Sequence, residues 1–214
     1  YRLTVPDGLA CCGLAMGASG DTHAALRAAR QNIRVLEQSE GFILVSCGSC
    51  FTQLAALADL FAGDDPWRSR ATLVAERFVE MSRFVEAAQK EHEAVKPLTG
   101  LKVFYHDPCH LRFSAGVTDE PRELLCAAGA TVLELPGGPQ CCGQGGLFHV
   151  GAPELAAAIR DDLMEKIVAL KPDIITTTCS GCLMQLKMAV AAANSSIAVV
   201  HLAGLLNDAE KQGH

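Results

Sequence analysis

The sequence predicts an α/β protein made of two pseudo-repeated parallel-sheet units with flanking helices, its cysteines standing at the carboxyl ends of the strands. Three observations lead there. Short apolar runs of strand length alternate with longer amphipathic stretches, the pattern of a parallel sheet covered by helices. A cysteine pattern occurs twice, as Cys11-Cys12-Gly13 followed by Cys47-Gly48-Ser49-Cys50 and as Cys141-Cys142-Gly143 followed by Cys179-Ser180-Gly181-Cys182. Each group follows a predicted strand or lies in the turn after one, where open parallel sheets place their ligands.

The duplication extends to the flanks. Leu3-Thr4-Val5-Pro6 precedes the first pair as Leu133-Glu134-Leu135-Pro136 precedes the second. Cys50-Phe51-Thr52-Gln53-Leu54 matches Cys182-Leu183-Met184-Gln185-Leu186. The intervals also agree, with 34 residues between Cys12 and Cys47 and 36 between Cys142 and Cys179. Self-similarity of this kind marks one structural unit used twice. The second copy has a leading cysteine, Cys109, with 31 residues between it and Cys141. The same count back from Cys11 falls before Tyr1. The first copy is therefore expected to lack its leading cysteine, strand and helix, and the chain to be a fragment or to follow a further segment.

In order, Arg2–Val5 reads as the end of a strand, and Pro6–Asp21 as a glycine-rich loop. Asp21 or Thr22 caps a helix to about Glu40, with Ala25, Ala29, Ile33 and Leu36 on one face. Phe42–Ser46 is a short apolar run typical of a buried parallel strand. A helix over Phe51–Phe61 follows, then a turn at Gly63–Pro66. Arg68–Lys96 reads as one long amphipathic helix or two shorter ones, with Leu73, Phe78, Met81 and Val85 inward. Pro97–Gly100 breaks it and divides the chain into residues 1–96, the first repeat, and 97–214, the second.

In the second repeat Leu101–Tyr105 is a strand, and Pro121 suits the first turn of a helix ending near Ala128. Thr131–Leu135 is a strand and Pro136–Gly146 the second cysteine-pair loop. A helix from Pro153 to Leu170, a strand at Asp173–Thr178 and a helix after Cys179–Cys182 follow. Ile197–His201 is the last strand, before a short helix. Cys126 reads as a small buried residue, and Met164, Met184 and Met188 as core.

Composition bounds the function. A chain of 214 residues, half of them hydrophobic, can bury a real core and is not disordered. A net charge of −6 argues against a nucleic-acid partner. There is no run of 18 apolar residues, hence no expected membrane span. Nine of the ten cysteines lie in the repeats. Disulfide scaffolds are short and loop-rich, so a reducing, cytoplasmic setting with metal-bound thiolates is the better reading.

Thiolates suit zinc, copper(I) or iron–sulfur clusters. Cys109, Cys141, Cys142, Cys179 and Cys182 offer five thiols, more than a four-coordinate zinc needs. Adjacent thiolates on one turn reach two metal atoms more readily than one, which favours a multinuclear iron–sulfur cluster. Cys11, Cys12, Cys47 and Cys50 form a second set that could hold zinc, a cluster or nothing. Gly143, Gly145 and Gly146 let backbone approach the sulfurs. A nucleotide loop is disfavoured, since the next strand ends in Thr176-Thr177-Thr178 without the acidic residue that binds a ribose. His106 and His110 could tune or ligate a metal, although hydrogen bonding within their loop is the simpler role. His149 belongs near a helix start, and His201 at the core or surface.

The twofold cysteine pattern, introduced by His106-Asp107-Pro108-Cys109-His110, resembles the cysteine-rich CCG domain family. Its members include a cysteine-rich component of heterodisulfide reductase, the iron–sulfur subunit of glycolate oxidase and lactate utilisation protein A. The resemblance implies a four-iron, four-sulfur cluster, non-cubane in the heterodisulfide reductase member, held by Cys109, Cys141, Cys142, Cys179 and Cys182. It implies a second ligand set at Cys11, Cys12, Cys47 and Cys50. Pro121-Arg122-Glu123-Leu124-Leu125 and Val199-Val200-His201-Leu202-Ala203 look most like the lactate and glycolate oxidation branch. That branch implies an iron–sulfur subunit of an oxidoreductase complex. It would take electrons from flavin-containing or iron–sulfur dehydrogenase subunits and pass them toward a quinone, peripheral to a membrane only through its partners. The rival functions are a reductase that cleaves a disulfide at the cluster and a structural zinc protein.

Overall fold

The structure, a computed structural model, describes residues 2–63, 65–89 and 96–212. It is α/β, and it divides into two compact units. The first comprises residues up to Val45 and Cys50–Val79, the second Ser46–Ser49 and everything from Glu80 onward.

In the first unit α1 (Leu14–Ala18) leads into α2 (Thr22–Leu36), capped by Asp21, whose Oδ1 accepts the Ala24 N–H at 2.8 Å. Ala25, Ala29, Ile33 and Leu36 face inward as their spacing predicts. Strand β1 (Ile43–Val45) and helix α3 (Gly48–Ala55), which belongs to this unit from Cys50 onward, follow, then a 3-10 turn at Leu57–Leu60 and α4 (Pro66–Ala75), capped by Asp65. The core forms around Ile33, Leu57, Phe61 and Val74.

Two expectations are corrected here. Arg2–Val5 pairs with no strand among the described residues, and Leu3 and Val5 are exposed. The Arg68–Lys96 helix is also interrupted. α4 ends at Ala75, and Phe78–Glu80 forms β2, which pairs with β1 before α5 (Met81–Gln89) begins. Phe78 and Glu80 turn inward with the two-residue period of a strand, and β1 supplies the backbone partner that a helix would not need. Leu73 is exposed, while Phe78 and Met81 are buried as expected. The tail of that predicted helix, residues 90–95, lies outside the described residues.

In the second unit β3 (Lys102–Tyr105) is followed by a π-helical turn at Leu111–Ala115 and α6 (Glu120–Ala127). Next come β4 (Thr131–Leu133), α7 (Phe148–Gly151), α8 (Pro153–Leu170) and β5 (Ile174–Thr177). The chain closes with α9 (Ser180–Ala192), β6 (Ala198–His201) and α10 (Leu202–Gln212). The four strands form a parallel sheet in the order β4-β3-β5-β6. Successive side chains of β3 serve opposite faces. Phe104 packs with Leu163, Ile167, Ile175 and Leu186, whereas Val103 and Tyr105 pack with Leu124, Leu125 and Leu202. Both faces are thus covered, and all parallel strand ends point to one edge.

Met164 is core as expected, but Met184, Met188 and Cys126 are exposed. α9 turns Cys182, Gln185, Leu186 and Ala189 inward at helical spacing, which leaves Met184 and Met188 outside. Leu124 and Leu125 occupy the inward positions of α6, so Cys126 faces out.

Glu80 is fully buried at the start of α5, where its Oε2 accepts the Ser82 N–H at 2.8 Å and the Ser82 hydroxyl. Its Oε1 has no partner among the described residues, and burial raises its pKa above the ordinary 4.5. The native state therefore holds this proton more tightly than the unfolded chain. Stability from this group is greatest at low pH and falls as pH rises from about 4.5 through the raised folded value. Glu80→Gln should flatten that dependence and gain on the parent as pH rises above about 4.5. Urea midpoints that keep the parent's pH slope in the variant would contradict it.

Candidate metal centre

The second cysteine site is built at the carboxyl edge of the four-stranded sheet. Beyond β3, His106 continues the ladder: its N–H donates to the Thr176 carbonyl at 2.8 Å, and its own carbonyl accepts the Thr177 hydroxyl at 2.9 Å. Both anchors lie on β5, the strand that delivers Cys179. The His106 ring is buried. Asp107, next along, is gripped by Arg122 through a two-pronged pair, Nη1 to Oδ1 at 2.8 Å and Nη2 to Oδ2 at 2.7 Å. Arg122 also reaches Glu134 and the Thr118 carbonyl, and it lies over the Tyr105 ring. The loop that presents Cys109 is thereby held to α6.

Arg122→Lys keeps the charge but loses the planar fork. About 1–3 kcal/mol of stability should be lost, the worth of a charged hydrogen bond in a buried setting. A chemical-denaturation midpoint equal to the parent's would show that the fork does not hold the loop.

The cysteine-pair loop between β4 and α7 turns at Gly143, which is left-handed at φ 82°. Its N–H donates to the Cys141 sulfur at 3.3 Å. A Cβ at Gly143 would lie 2.5 Å from the Ala156 carbonyl oxygen of α8, so only glycine fits. Cys142 is buried while Cys141 is exposed. Gln144 fills the loop beneath Gly181, and His149 Nδ1 closes it through Gln144 at 3.0 Å and the Gly146 carbonyl at 2.9 Å.

The third contribution comes from the start of α9. Cys179 is the extended residue before its first turn, and Cys182 lies within that turn; both are buried. The Cys142 and Cys182 sulfurs hydrogen-bond at 3.3 Å. The donor atoms of His106, Cys142 and Cys182 all lie within 4.8 Å of one another, the one three-donor group of this kind among the described residues. Cys109 is half-buried nearby, its sulfur 3.8 Å from His110 Nδ1.

The protons are unevenly shared. Hydrogen bonds from the Cys141 and Cys182 thiols, helped by His106, pull the Cys142 thiol far below its usual range. Those same bonds raise Cys141 and Cys182. Burial pushes up Cys109, and charge on Cys142 and Cys179 adds to it. A buried set with one thiolate already favoured suits a soft metal, since the thiolate is the ligand form.

The structure therefore gives His106 more than a loop-bonding role: its backbone holds the loop, and its ring stands among the donors. His201 is instead structural, with Nε2 donating to the Ser46 carbonyl at 2.9 Å and Nδ1 accepting the Ala203 N–H at 3.2 Å.

In the first unit the pair loop has the same build. Gly13 is left-handed at φ 87° and stands against Ala25 of α2, as Gly143 stands against Ala156. Asn32, buried on α2, accepts the Ala10 N–H at 2.8 Å and donates to the Cys11 carbonyl at 3.1 Å. Cys11 is exposed, and Cys12 and Cys50 are half-buried. Cys47 is grouped with the second unit, in the Ser46–Ser49 segment. Asn32 and Arg122 escaped sequence reasoning, because no repeated feature marks their roles and each acts through a residue distant in the chain.

Comparison with known proteins agrees with this construction. A family model described as a cysteine-rich domain, CCG, matches residues 2–55 and 103–187. "Lactate utilization protein A" of Anoxybacillus flavithermus is 32% identical over 203 residues, covering 94% of this chain and 84% of that protein. The Geobacillus sp. protein of that name is 30% identical over 207 residues, 96% of this chain and 86% of the relative. "Lactate utilization protein A 1" of Bacillus anthracis is 32% identical over 207 residues, 96% and 85% of the two chains. With the family model matched on both cysteine motifs and relatives aligned along nearly its whole length, the chain belongs to the cysteine-rich CCG domain family.

Proposed function

We propose that the protein is the iron–sulfur electron-transfer subunit of a complex that oxidises a 2-hydroxy acid, lactate first among them, and passes the electrons toward a quinone. The observation that carries this is the buried His106–Cys142–Cys182 donor group at the strand ends, in a chain similar to proteins named for lactate utilization. In this reading Cys109, Cys141, Cys142, Cys179 and Cys182 hold a four-iron, four-sulfur cluster. Cys11, Cys12, Cys47 and Cys50 are the donors available to a second cluster or to zinc. A bound cluster supplies one-electron chemistry.

The chain's own residues supply the setting. The Gly143 N–H stabilises negative charge on Cys141, which favours the reduced form. The buried Cys142, Cys179 and Cys182 keep water from one side of the site, while exposed Cys141 leaves another side open to a partner. Electrons would come from flavin-containing or iron–sulfur dehydrogenase subunits. No helix among the described residues is long and apolar enough to cross a membrane. In this reading a membrane quinone is reached through partners, from the cytoplasm.

Anaerobically prepared protein, reduced and freed of excess reductant, should convert a water-soluble quinone analogue to quinol in amounts that track its iron. Cys142→Ser should abolish the conversion. Undiminished quinol formation in that variant would contradict the assignment.

A further inference from the structure

The segment Ser46–Ser49 stands in the first cysteine motif, yet it is bonded into the second unit at every step. The Ser46 carbonyl accepts from His201 Nε2 at 2.9 Å, just beyond β1. The Gly48 N–H donates to the Thr178 carbonyl at 2.8 Å, immediately before Cys179. Gly48 has no space for a side chain there, because a Cβ would lie 2.7 Å from the Leu111 side chain. The Cys47 sulfur accepts the Ser180 N–H at 3.4 Å and packs against the core cluster containing Cys142, Cys179 and Cys182. The Ser49 hydroxyl touches both the Cys47 sulfur, at 3.4 Å, and the Cys179 sulfur, at 3.6 Å.

We propose that Ser49 is a positioning residue for the Cys179 sulfur in the second-repeat metal site, and that Cys47, counted above with Cys11, Cys12 and Cys50, also stands beside that site as a sixth thiol. A single hydroxyl in contact with two sulfurs is a short link between them. Once Cys179 is a thiolate, the Ser49 hydroxyl becomes a donor to it. Donation to a ligand sulfur stabilises the more negative, reduced state and so raises the reduction potential. The first cysteine motif thereby reaches into the second site through two side chains. The same contacts explain why this C-x-x-C is divided, with Cys47 grouped in one unit and Cys50 in the other.

The effect on potential rests on the cluster reading above, but the placement does not, and two measurements separate them. In metal-free, reduced protein, the thiol-bridging reagent dibromobimane should join Cys47 to Cys179, identified by peptide mass. Recovery of Cys47 alkylated singly, or joined only to Cys50, would overturn the placement. Anaerobic protein carrying Cys11→Ser and Cys12→Ser then isolates the second site for a redox titration followed by electron paramagnetic resonance. There Ser49→Ala should leave iron and sulfide content unchanged and shift the midpoint potential to a more negative value, and Ser49→Thr should restore it. A midpoint unmoved by Ser49→Ala would overturn the tuning role. Absence of iron and sulfide, with the Cys47–Cys179 bridge still formed, would overturn the cluster reading and uphold the placement.

Discussion

Replacing Cys142 by Ser should empty the second site. Cys142 is the buried member of the adjacent pair, and its sulfur is hydrogen-bonded to Cys182 at 3.3 Å and grouped with His106. Hydrogen bonds from Cys141 and Cys182 favour its thiolate over theirs. It is thus a donor suited to a soft metal, and a hydroxyl in its place is a far poorer ligand. Serine is close to isosteric, so the fold should survive. Expected are near-complete loss of second-site iron and sulfide and an unchanged far-ultraviolet circular dichroism spectrum. Retention of the full metal content would remove Cys142 from the ligand set.

Gly143→Ala should be the most damaging single methyl group in the second unit. Two costs coincide at this position. The left-handed backbone at φ 82° costs a residue with a side chain about 1–3 kcal/mol. The new Cβ also meets the Ala156 carbonyl at 2.5 Å, and relieving that overlap moves α8 or the cysteine-pair loop, at about 1–3 kcal/mol more. Roughly 2–6 kcal/mol of stability should be lost in all. Cys141 and Cys142 would move together with the loop, so metal content should fall as well. Gly13→Ala is the internal comparison. Its Cβ would stand 3.7 Å from Ala25, an ordinary contact, which leaves only the backbone cost. Urea unfolding of the two metal-free variants should therefore rank Gly143→Ala well below Gly13→Ala. Equal losses would mean that α8 yields freely.

Much of the fold follows from local patterns that survive without knowledge of contacts. The helical spacing of Ala25, Ala29, Ile33 and Leu36 locates α2, and the run after Lys102 locates β3. Pro153 marks the start of α8 and Pro121 the first turn of α6, because proline suits a position that needs no N–H. β2 was hidden because three residues between two helical stretches show no distinct period, and β1 is what makes them a strand. Met184 and Met188 misled for a related reason. Hydrophobicity says that a residue can be buried, whereas the inward stripe of α9 is set by Cys182 and Leu186 against the sheet.

The site divides in the same way. The cysteines and glycines were legible because their chemistry is rare and their spacing repeats. His106 is visible in sequence only as a neighbour of Cys109. Its place beside Cys142 and Cys182 depends on three strand ends meeting at one edge. Arg122 and Asp107 lie 15 residues apart and join only once β3 and α6 pack. Cys47 shares a motif with Cys50, and only the bonds to Ser180, Thr178 and His201 show which unit claims it.

The central claim, that the second-repeat cysteines hold an iron–sulfur cluster, is tested most directly by metal analysis of anaerobically purified protein. Iron, acid-labile sulfide and zinc should be measured on one sample, together with its electron paramagnetic resonance spectrum. Expected are iron and sulfide in equal amounts and a paramagnetic signal that disappears in Cys142→Ser. Zinc without sulfide would contradict the cluster and leave a structural metal site in its place.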